Sequence, residues 1–358
     1  MINDIDIEEI KNRDFLKFYN HINRFDNINS HKIYGENKKT FVSILMPIYN
    51  HPVICLKNAI LSALDQLDFE DYKIVIVDNS STVVNENVVL EFNSPKIVYY
   101  KNEKNLGLFG NWNRCIKLAN SEWITFLHSD DMLCRDFLRT MCVILKKHPE
   151  IDQLACKYTI HDVDSIKQYN VKKSEWLECK QLFGEDYNEF MITSVKGAMI
   201  KREYIMRVGG FRDKDNGLGL GDYTAMLQYA YKYNVYLLNG NLYLNGWGEN
   251  DTINVSIWYP ELVANYYMQI FFANKAGLFK RIWKKYNAKM ILIKRAYEFD
   301  NGTSFVGKRV SINWDELKKD CNINSIKINP VFSLFVKILN KIEINNREIK
   351  RNKFRIKR

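Results

Sequence analysis

The sequence predicts an α/β protein built on a mostly parallel central sheet, and three observations predict it. Near-continuous apolar runs of strand length recur at 41–48, 72–77, 97–100 and 123–127, as strands buried on both faces do. Stretches of helical periodicity separate them, which is the βαβ order of a parallel sheet. Polar residues stand just past successive runs: Tyr49 and Asn50, Asp78 and Asn79, then Asp130 and Asp131. In a parallel sheet those ends share one edge, and ligands of open α/β sheets bind there.

Each element follows in order. Residues 1–40 are polar and mixed in charge, with Phe15, Phe18, Tyr19 and Ile22 at helical spacing. They read as an N-terminal helical extension ending in a loop at Tyr34-Gly35-Glu36-Asn37. The first strand, Phe41 to Ile48, stops at Tyr49-Asn50-His51-Pro52. Pro52 suits a first helical turn, with Asn50 or His51 at the cap. Ile54, Ala59, Ile60, Ala63 and Leu64 mark the apolar face of that helix. Tyr72 to Val77 is the second strand, so the connection should be right-handed. Ile97 to Tyr100 leads through Asn105-Leu106-Gly107 into a helix carrying Cys115, Leu118 and Ala119. Trp123 to Leu127 is the fourth strand and ends in the carboxylate pair. Adjacent carboxylates repel unless a cation, a proton or a ligand hydroxyl compensates them. A divalent cation bridging to a phosphate is one solution; a solvated Asp-Asp turn capping the next helix is the other reading.

Composition sets the outer limits. The 358 residues make one large domain or two smaller ones, 46% of them are hydrophobic, and the net charge of +10 favours an anionic partner. Seven cysteines, an odd number without CxxC spacing, read as reduced thiols filling the core of a cytosolic protein. The first residues, Met1-Ile2-Asn3-Asp4, lack a secretory signal pattern, and no apolar run is long enough to span a bilayer. From about residue 257 the chain reads as amphipathic helices. Its end, 341–358, holds eight Lys or Arg against two Glu, behind the apolar Val331-Phe332-Ser333-Leu334-Phe335-Val336. A charged run is usually a solvated face, yet an apolar face beside a polybasic patch is also a way to sit on anionic lipid. Peripheral contact with an anionic membrane through 331–358, at the inner face of the cell membrane, is therefore expected. Nucleic acid is not, because no recognised module accompanies the charge.

The motifs carry a resemblance. Val42 to Asn50, Val77-Asp78-Asn79-Ser80-Ser81, Asn105-Leu106-Gly107 with Asn113, and Ser129-Asp130-Asp131 resemble, in order and spacing, the donor half of family-2 glycosyltransferases of the GT-A fold. Val208-Gly209-Gly210-Phe211 followed by Gly221-Asp222 resembles the acceptor-side segment. The resemblance implies a GT-A type, Rossmann-like sheet flanked by helices over 41–256. Its donor half would be 41–140 and its acceptor half 141–256, with a helical, basic C-terminal region at 257–358. It implies an inverting transfer from a nucleotide sugar, a UDP-sugar, to a hydroxyl of a glycan or lipid-linked acceptor in surface polysaccharide synthesis, with Mg2+ or Mn2+. By the same resemblance Asp78 binds the base, Pro47 and Tyr49 pack against it, and Gly107 and Asn113 close over the nucleotide. Asp130 lies near the ribose and phosphate, Asp131 holds the metal, and Asp222 is the general base.

The chemistry suits these residue types. A cation on a carboxylate stabilises a departing diphosphate as a Lewis acid, and one carboxylate suffices to take the acceptor's proton. Asp222 also reads as a helix cap. Three departures stand out. His128 replaces an acidic residue often found two positions before the first Asp of the pair, Gly221 replaces one before the base, and no His follows His161. Trp247, Glu249 or Asp251 could substitute for that missing His, and the glycine-rich 216–221 loop reads as a lid beside Asp222. The alternatives are a nucleotidyltransferase on a similar sheet, which lacks a Gly-rich, Lys-bearing triphosphate loop here, and a degenerate transferase serving as a binding or scaffold subunit.

Overall fold

The computed structural model describes residues 7–17, 20–83, 85–162, 176–183, 195–212, 220–247, 258–303 and 309–357. In chain order the elements begin with α1 (Ile7–Asn12), β1 (Ser30–Tyr34), β2 (Thr40–Ile48), α2 (Val53–Leu64), β3 (Tyr72–Asp78) and α3 (Glu86–Leu90). Then come β4 (Ile97–Asn102), α4 (Leu108–Leu118), β5 (Ser121–Phe126), β6 (Met132–Leu133), α5 (Phe137–Lys147), β7 (Gln153–Asp162) and β8 (Trp176–Leu182). β9 (Ala198–Lys201), α6 (Arg202–Arg207), α7 (Leu220–Lys232) and β10 (Val235–Trp247) follow. The chain ends with α8 (Trp258–Lys275), α9 (Leu278–Asp300), α10 (Trp314–Asp320), α11 (Pro330–Lys350) and β11 (Lys353–Lys357). Two compact units result: one of 18–216, 221–249 and 352–358, the other of 1–17, 217–220 and 250–351.

The larger unit is a mixed α/β sheet. Its strands run in the order β1-β4-β3-β2-β5-β9-β7-β10-β8-β11, with β6 paired to β10. Parallel pairing is confined to β4-β3-β2-β5 and to β7-β10; the pairings of β1, β6, β8, β9 and β11 are antiparallel. The mostly parallel sheet expected from the apolar runs is thus its first half. β2 alternates its side chains: Val42, Ile44, Met46 and Ile48 join one core with Leu56, Ala59, Ile60 and Ala63 of α2 and Phe137, Leu138 and Met141 of α5. α4 packs against β2 and β3.

The strand order creates a crevice. From β2 the chain steps outward through β3 and β4, then returns to place β5 on the other side of β2. The loops after β2 and β5 therefore leave in opposite directions, which opens the switch-point cleft at the carboxyl edge. Pro47 sits beside it, inside a central strand where proline is normally excluded. The β2–β5 ladder ends at Leu45 and Phe126, with one further bond from Leu127 N–H to Leu45 C=O at 2.9 Å. The missing N–H of Pro47 thus falls where β5 has already turned away.

Two expectations about the chain ends are corrected. Among the described residues of 1–40, only Ile7–Asn12 and a short turn at His21–Asn23 are helical. Ser30–Tyr34 is a strand on the edge of β4, and Phe18 and Tyr19 lie outside the described residues. At the other end, Lys353–Lys357 is not part of a helical tail but pairs antiparallel with β8. No disulfide joins the seven cysteines, which are buried except for the half-buried Cys134.

The smaller unit is helical. Leu262, Val263 and Tyr266 of α8 pack with Ala288, Leu292, Ala296 and Phe299 of α9 and Leu317 of α10. α11 opens on a side-chain cap: Asn329 Oδ1 accepts from Phe332 N–H at 3.0 Å, and Pro330 follows at the first helical position. Among its described residues only Val336 is fully buried. Val331, Leu334, Phe335, Ile338, Ile342 and Ile349 are exposed. At 100° per residue these six fall within one side of the helix. Leu278, Phe279 and Ile282 at the start of α9 are exposed as well.

Candidate active site

Three loops build the site at the carboxyl edge of β2, β3 and β5. After β2, Tyr49 stands exposed and Asn50 takes a left-handed conformation with φ of +52°, which asparagine tolerates better than most residues. Asn50 Oδ1 accepts from Thr82 N–H at 2.8 Å, tying this loop to the one after β3.

After β3, Asp78 is buried with both carboxylate oxygens engaged. Ser81 N–H donates to Oδ1 at 2.7 Å and Tyr99 Oη to Oδ2 at 3.0 Å. Asn79 is a hub: its Oδ1 accepts from Asn102 Nδ2 at 3.1 Å and Leu106 N–H at 2.9 Å, and its Nδ2 donates to Asn105 Oδ1 at 2.8 Å. This network holds the Asn105-Leu106-Gly107 loop against the end of β3. Gly107 enters α4 with φ of +76° and ψ of 175°, a backbone region essentially reserved for glycine.

Asn113 is placed differently from the nucleotide contact expected of it. Its Nδ2 donates to Phe211 C=O at 2.7 Å, and Phe211 N–H donates to its Oδ1 at 2.8 Å. The side chain is buried and serves as a brace between α4 and the Gly209-Gly210-Phe211 segment. Gly210, at φ +72°, has no Cβ where one would lie 2.4 Å from Asn113 Oδ1.

After β5, His128 to Asp131 form a tight turn closed by Asp131 N–H to His128 C=O at 3.1 Å. The chain then pairs with β10 as β6, which draws Asp131 under β10. Asp131 is fully buried. Its Oδ1 accepts from Gly246 N–H at 2.7 Å and its Oδ2 from Tyr243 Oη at 2.7 Å. The ammonium of Lys196 lies 3.3 Å from Oδ2. Lys196 also donates to Asn245 Oδ1. Burial alone would pull the Lys196 ammonium down, but Asp131 and Asp130 outweigh it and hold it above its ordinary value. Burial, and then Asp131, push the Tyr243 phenol well up, so it stays a donor. Burial, with Lys196 next, keeps His128 well below the usual imidazole range and hence neutral. Its ring leans on Trp112 at 4.8 Å, and its Nε2 has no hydrogen-bond partner among the described residues.

Asp222 lies in the first turn of α7 and is half-buried. Further along that helix Tyr229 Oη donates to Asp152 C=O at 3.1 Å, just before β7 begins. The helix is followed by β10. Tyr49, Asp78, Gly107, Asp130 and Asp131 lie in the loops at the carboxyl ends of the parallel strands. The side chain of Trp247, with Glu249, Asp251 and the 213–219 part of the glycine-rich loop, lies outside the described residues.

Among the described residues, His128, Asp130 and Asp131 are the one acidic group able to gather on a cation, their ligand atoms all within 4.8 Å of one another. The donor set fits a divalent ion at Asp130, which is only half-buried, with neutral His128 beside it. Asp131, the ligand expected from the sequence, belongs to the same group, but Gly246 N–H, Tyr243 Oη and Lys196 already engage its carboxylate, so Asp130 is the more open of the two. Lys196, Tyr243 and Gly246 were missed in the sequence. Only Gly197, one residue past Lys196, signalled a constrained backbone there: its φ is +68°, and a Cβ would meet Cys156 Sγ at 2.7 Å.

Parts of the chain are similar to known proteins. Residues 43–209 match the family model described as Glycosyl transferase family 2. An uncharacterized glycosyltransferase of Methanocaldococcus jannaschii is 26% identical over 178 residues, covering 49% of this chain and 60% of that protein. The UDP-Glc:alpha-D-GlcNAc-diphosphoundecaprenol beta-1,3-glucosyltransferase WfgD of Escherichia coli is 29% identical over 127 residues, covering 35% of this chain and 48% of that protein. The chain thus spans less than two thirds of the length of either relative. Among solved structures, S. aureus TarS 1–349 in complex with UDP-GlcNAc superposes with a TM-score of 0.49 at 16% identity, covering 71% of this chain and 81% of that one.

Proposed function

We propose that this chain, a member of glycosyl transferase family 2 through residues 43–209, transfers a sugar from a UDP-sugar to a hydroxyl of a lipid-linked or glycan acceptor, with inversion, in the synthesis of a surface polysaccharide. The observation that carries this reading is the gathering of the loops after β2, β3 and β5 at the switch point, with Asp78 and Asp130 in neighbouring loops. The donor half is 41–140, and the acceptor half is 141–256. The name of the Escherichia coli relative supports UDP as the donor nucleotide and a diphosphoundecaprenol-linked acceptor.

Each residue then has a task. Tyr49 offers an exposed ring for the base beside Pro47. Asp78 accepts a base N–H through lone pairs that Ser81 and Tyr99 leave unused, since a carboxylate offers about four such sites. Gly107 lets the backbone pass close to the nucleotide. Asp130, with His128, would hold Mg2+ or Mn2+, which when bound supplies Lewis-acid stabilisation of the departing diphosphate. Asp222 takes the acceptor proton as the acceptor oxygen bonds to the anomeric carbon. The bond to the diphosphate oxygen breaks, and its electron pair leaves with UDP. Attack from the face opposite the leaving group inverts the centre.

The acceptor also fits the helical unit. The exposed apolar side of α11, with Lys337 and Lys341 on the same helix, supports peripheral contact with an anionic membrane at its inner face. No helix among the described residues is long and apolar enough to cross one. The contact belongs to α11 rather than to the whole of 331–358, since β11 is committed to the sheet.

UDP release on mixing with candidate donors and acceptors tests the transfer. The wild type should release UDP with one donor and acceptor pair, and Asp222→Asn and Asp130→Ala should not. Equal release by all three would remove the proposed mechanism.

A further inference from the structure

Lys196 is a fixed cation at the edge where a diphosphate would lie, and the transfer chemistry described above leaves it without a task. Its ammonium stands 3.3 Å from Asp131 Oδ2 and donates to Asn245. Asp131 is wholly buried, whereas the Lys196 side chain keeps 21% of its surface exposed. The lysine is therefore not sealed off as the carboxylate is. Its backbone is held firmly. Lys196 bridges Phe126 at the end of β5, and Gly197 fits with a left-handed φ only because no Cβ is present to strike Cys156 and Tyr243. Asp131 is fixed in turn by Tyr243 and Gly246. A charge supported by a rigid shell of this kind is pre-organised for an anion.

Asp130 and Asp131 bring two negative charges and Lys196 cancels one, so the ammonium can meet an anion there while Asp130 is left for a cation.

We infer that Lys196 binds the diphosphate of the nucleotide donor, so that nucleotide binding persists when divalent cations are removed. Asp131 is its positioning residue rather than a metal ligand. This rests on the donor reading given under the proposed function, and its test separates the two.

Calorimetric titration of the full chain decides it, with UDP and uridine as probes, each in EDTA and in manganese. The wild type should bind UDP in EDTA more tightly than uridine. Lys196→Met should lose at least tenfold for UDP in EDTA, with uridine affinity unchanged, and Lys196→Arg should recover most of the loss. Uridine affinity thereby reports whether Lys196→Met has kept its fold. Wild-type binding of UDP that vanishes in EDTA would overturn the inference without any variant and leave the donor reading standing. So would Lys196→Met binding UDP in EDTA as tightly as the wild type. Failure of the wild type to bind either probe, or GDP and guanosine in their place, with or without manganese, would remove the donor reading and this inference together.

Discussion

Asn113 and Phe211 grip each other through two reciprocal hydrogen bonds, 2.7 and 2.8 Å long, between one side-chain amide and the backbone N–H and C=O of one residue. The pair couples two distant parts of the sequence. It also reaches the candidate site, because Phe211 packs edge-on against Trp112 at 5.2 Å and Trp112 carries the His128 ring at 4.8 Å. A residue that resembles a nucleotide contact by motif therefore acts as scaffold for the turn that presents Asp130.

Replacing Asn113 by Ala should destabilise the α/β unit. It leaves the N–H and C=O of the buried Phe211 unpaired, and each such group costs about 1–3 kcal/mol. A loss of roughly 2–4 kcal/mol in chemical denaturation is expected, with UDP affinity reduced only as far as the His128 turn loosens. Unchanged stability together with lost nucleotide binding would return Asn113 to the role its motif suggests.

Gly210 makes the same pair testable by coupling. A Cβ at 210 would lie 2.4 Å from Asn113 Oδ1, at a φ of +72°. Gly210→Ala alone should therefore be strongly destabilising. In the Asn113→Ala background the closest clash disappears, leaving Ile22 Cδ1 at 3.0 Å and the backbone strain. The double variant should fall short of additivity by about 0.5–3 kcal/mol, the usual range for residues in contact. Additive losses would mean that the clash is relieved in some other way.

The sequence was legible where one physical signal acts alone. β2, β3, β4 and β5 are read from their apolar runs because both faces of those strands are covered, and Asp78 and Asp130 then fall at strand ends. β1, β8 and β11 were not readable. Ser30–Tyr34 alternates weakly, and Lys353–Lys357 carries charges that look like a solvated tail until β8 supplies a partner. The site failed for a different reason. Asp131 looks like an open carboxylate because its neutralising partners, Lys196 and Tyr243, lie 65 or more positions away in sequence. No local pattern announces a pairing of that range.

Asp130 and Asp131 should part company on substitution. Asp131→Asn removes the counter-charge of Lys196, and breaking a buried pair in this way costs about 3–5 kcal/mol. A marked fall in melting temperature is expected, with or without manganese. Asp130→Asn changes a half-buried residue and should melt close to the wild type. Its UDP release should lose the response to added manganese. A stable Asp131→Asn that loses the manganese response would restore Asp131 as the metal ligand.

Asp222→Asn should separate chemistry from binding. Asparagine is tolerated at a helix start about as well as aspartate, so α7 should persist. A general base typically contributes about 10²–10⁴-fold, and kcat should fall by that range while the affinity for UDP is unchanged. Loss of UDP affinity in parallel would make Asp222 a structural residue of the donor site.

The membrane face of α11 makes the last prediction, and its geometry sets the design. Val331, Leu334, Phe335, Ile338, Ile342 and Ile349 line one side of a helix that starts at a firm Asn329 cap, so the stripe is presented as a unit. Fully burying one such side chain is worth about 1.5–3 kcal/mol. Placing glutamate at Leu334 and Ile338 together should therefore reduce vesicle binding by about tenfold or more, and it repels anionic headgroups besides. Those two residues are exposed, so the fold and the UDP affinity should be unaffected. In flotation assays the wild-type chain should rise with vesicles containing phosphatidylglycerol, less so at high salt, and not with pure phosphatidylcholine. Adding Leu278→Glu should deepen the loss if the start of α9 shares the face. A wild-type chain that stays at the bottom of the gradient with anionic vesicles would leave the stripe to another partner. A second copy of the chain would then be recognised by sedimentation at twice the mass, abolished by the same two glutamates.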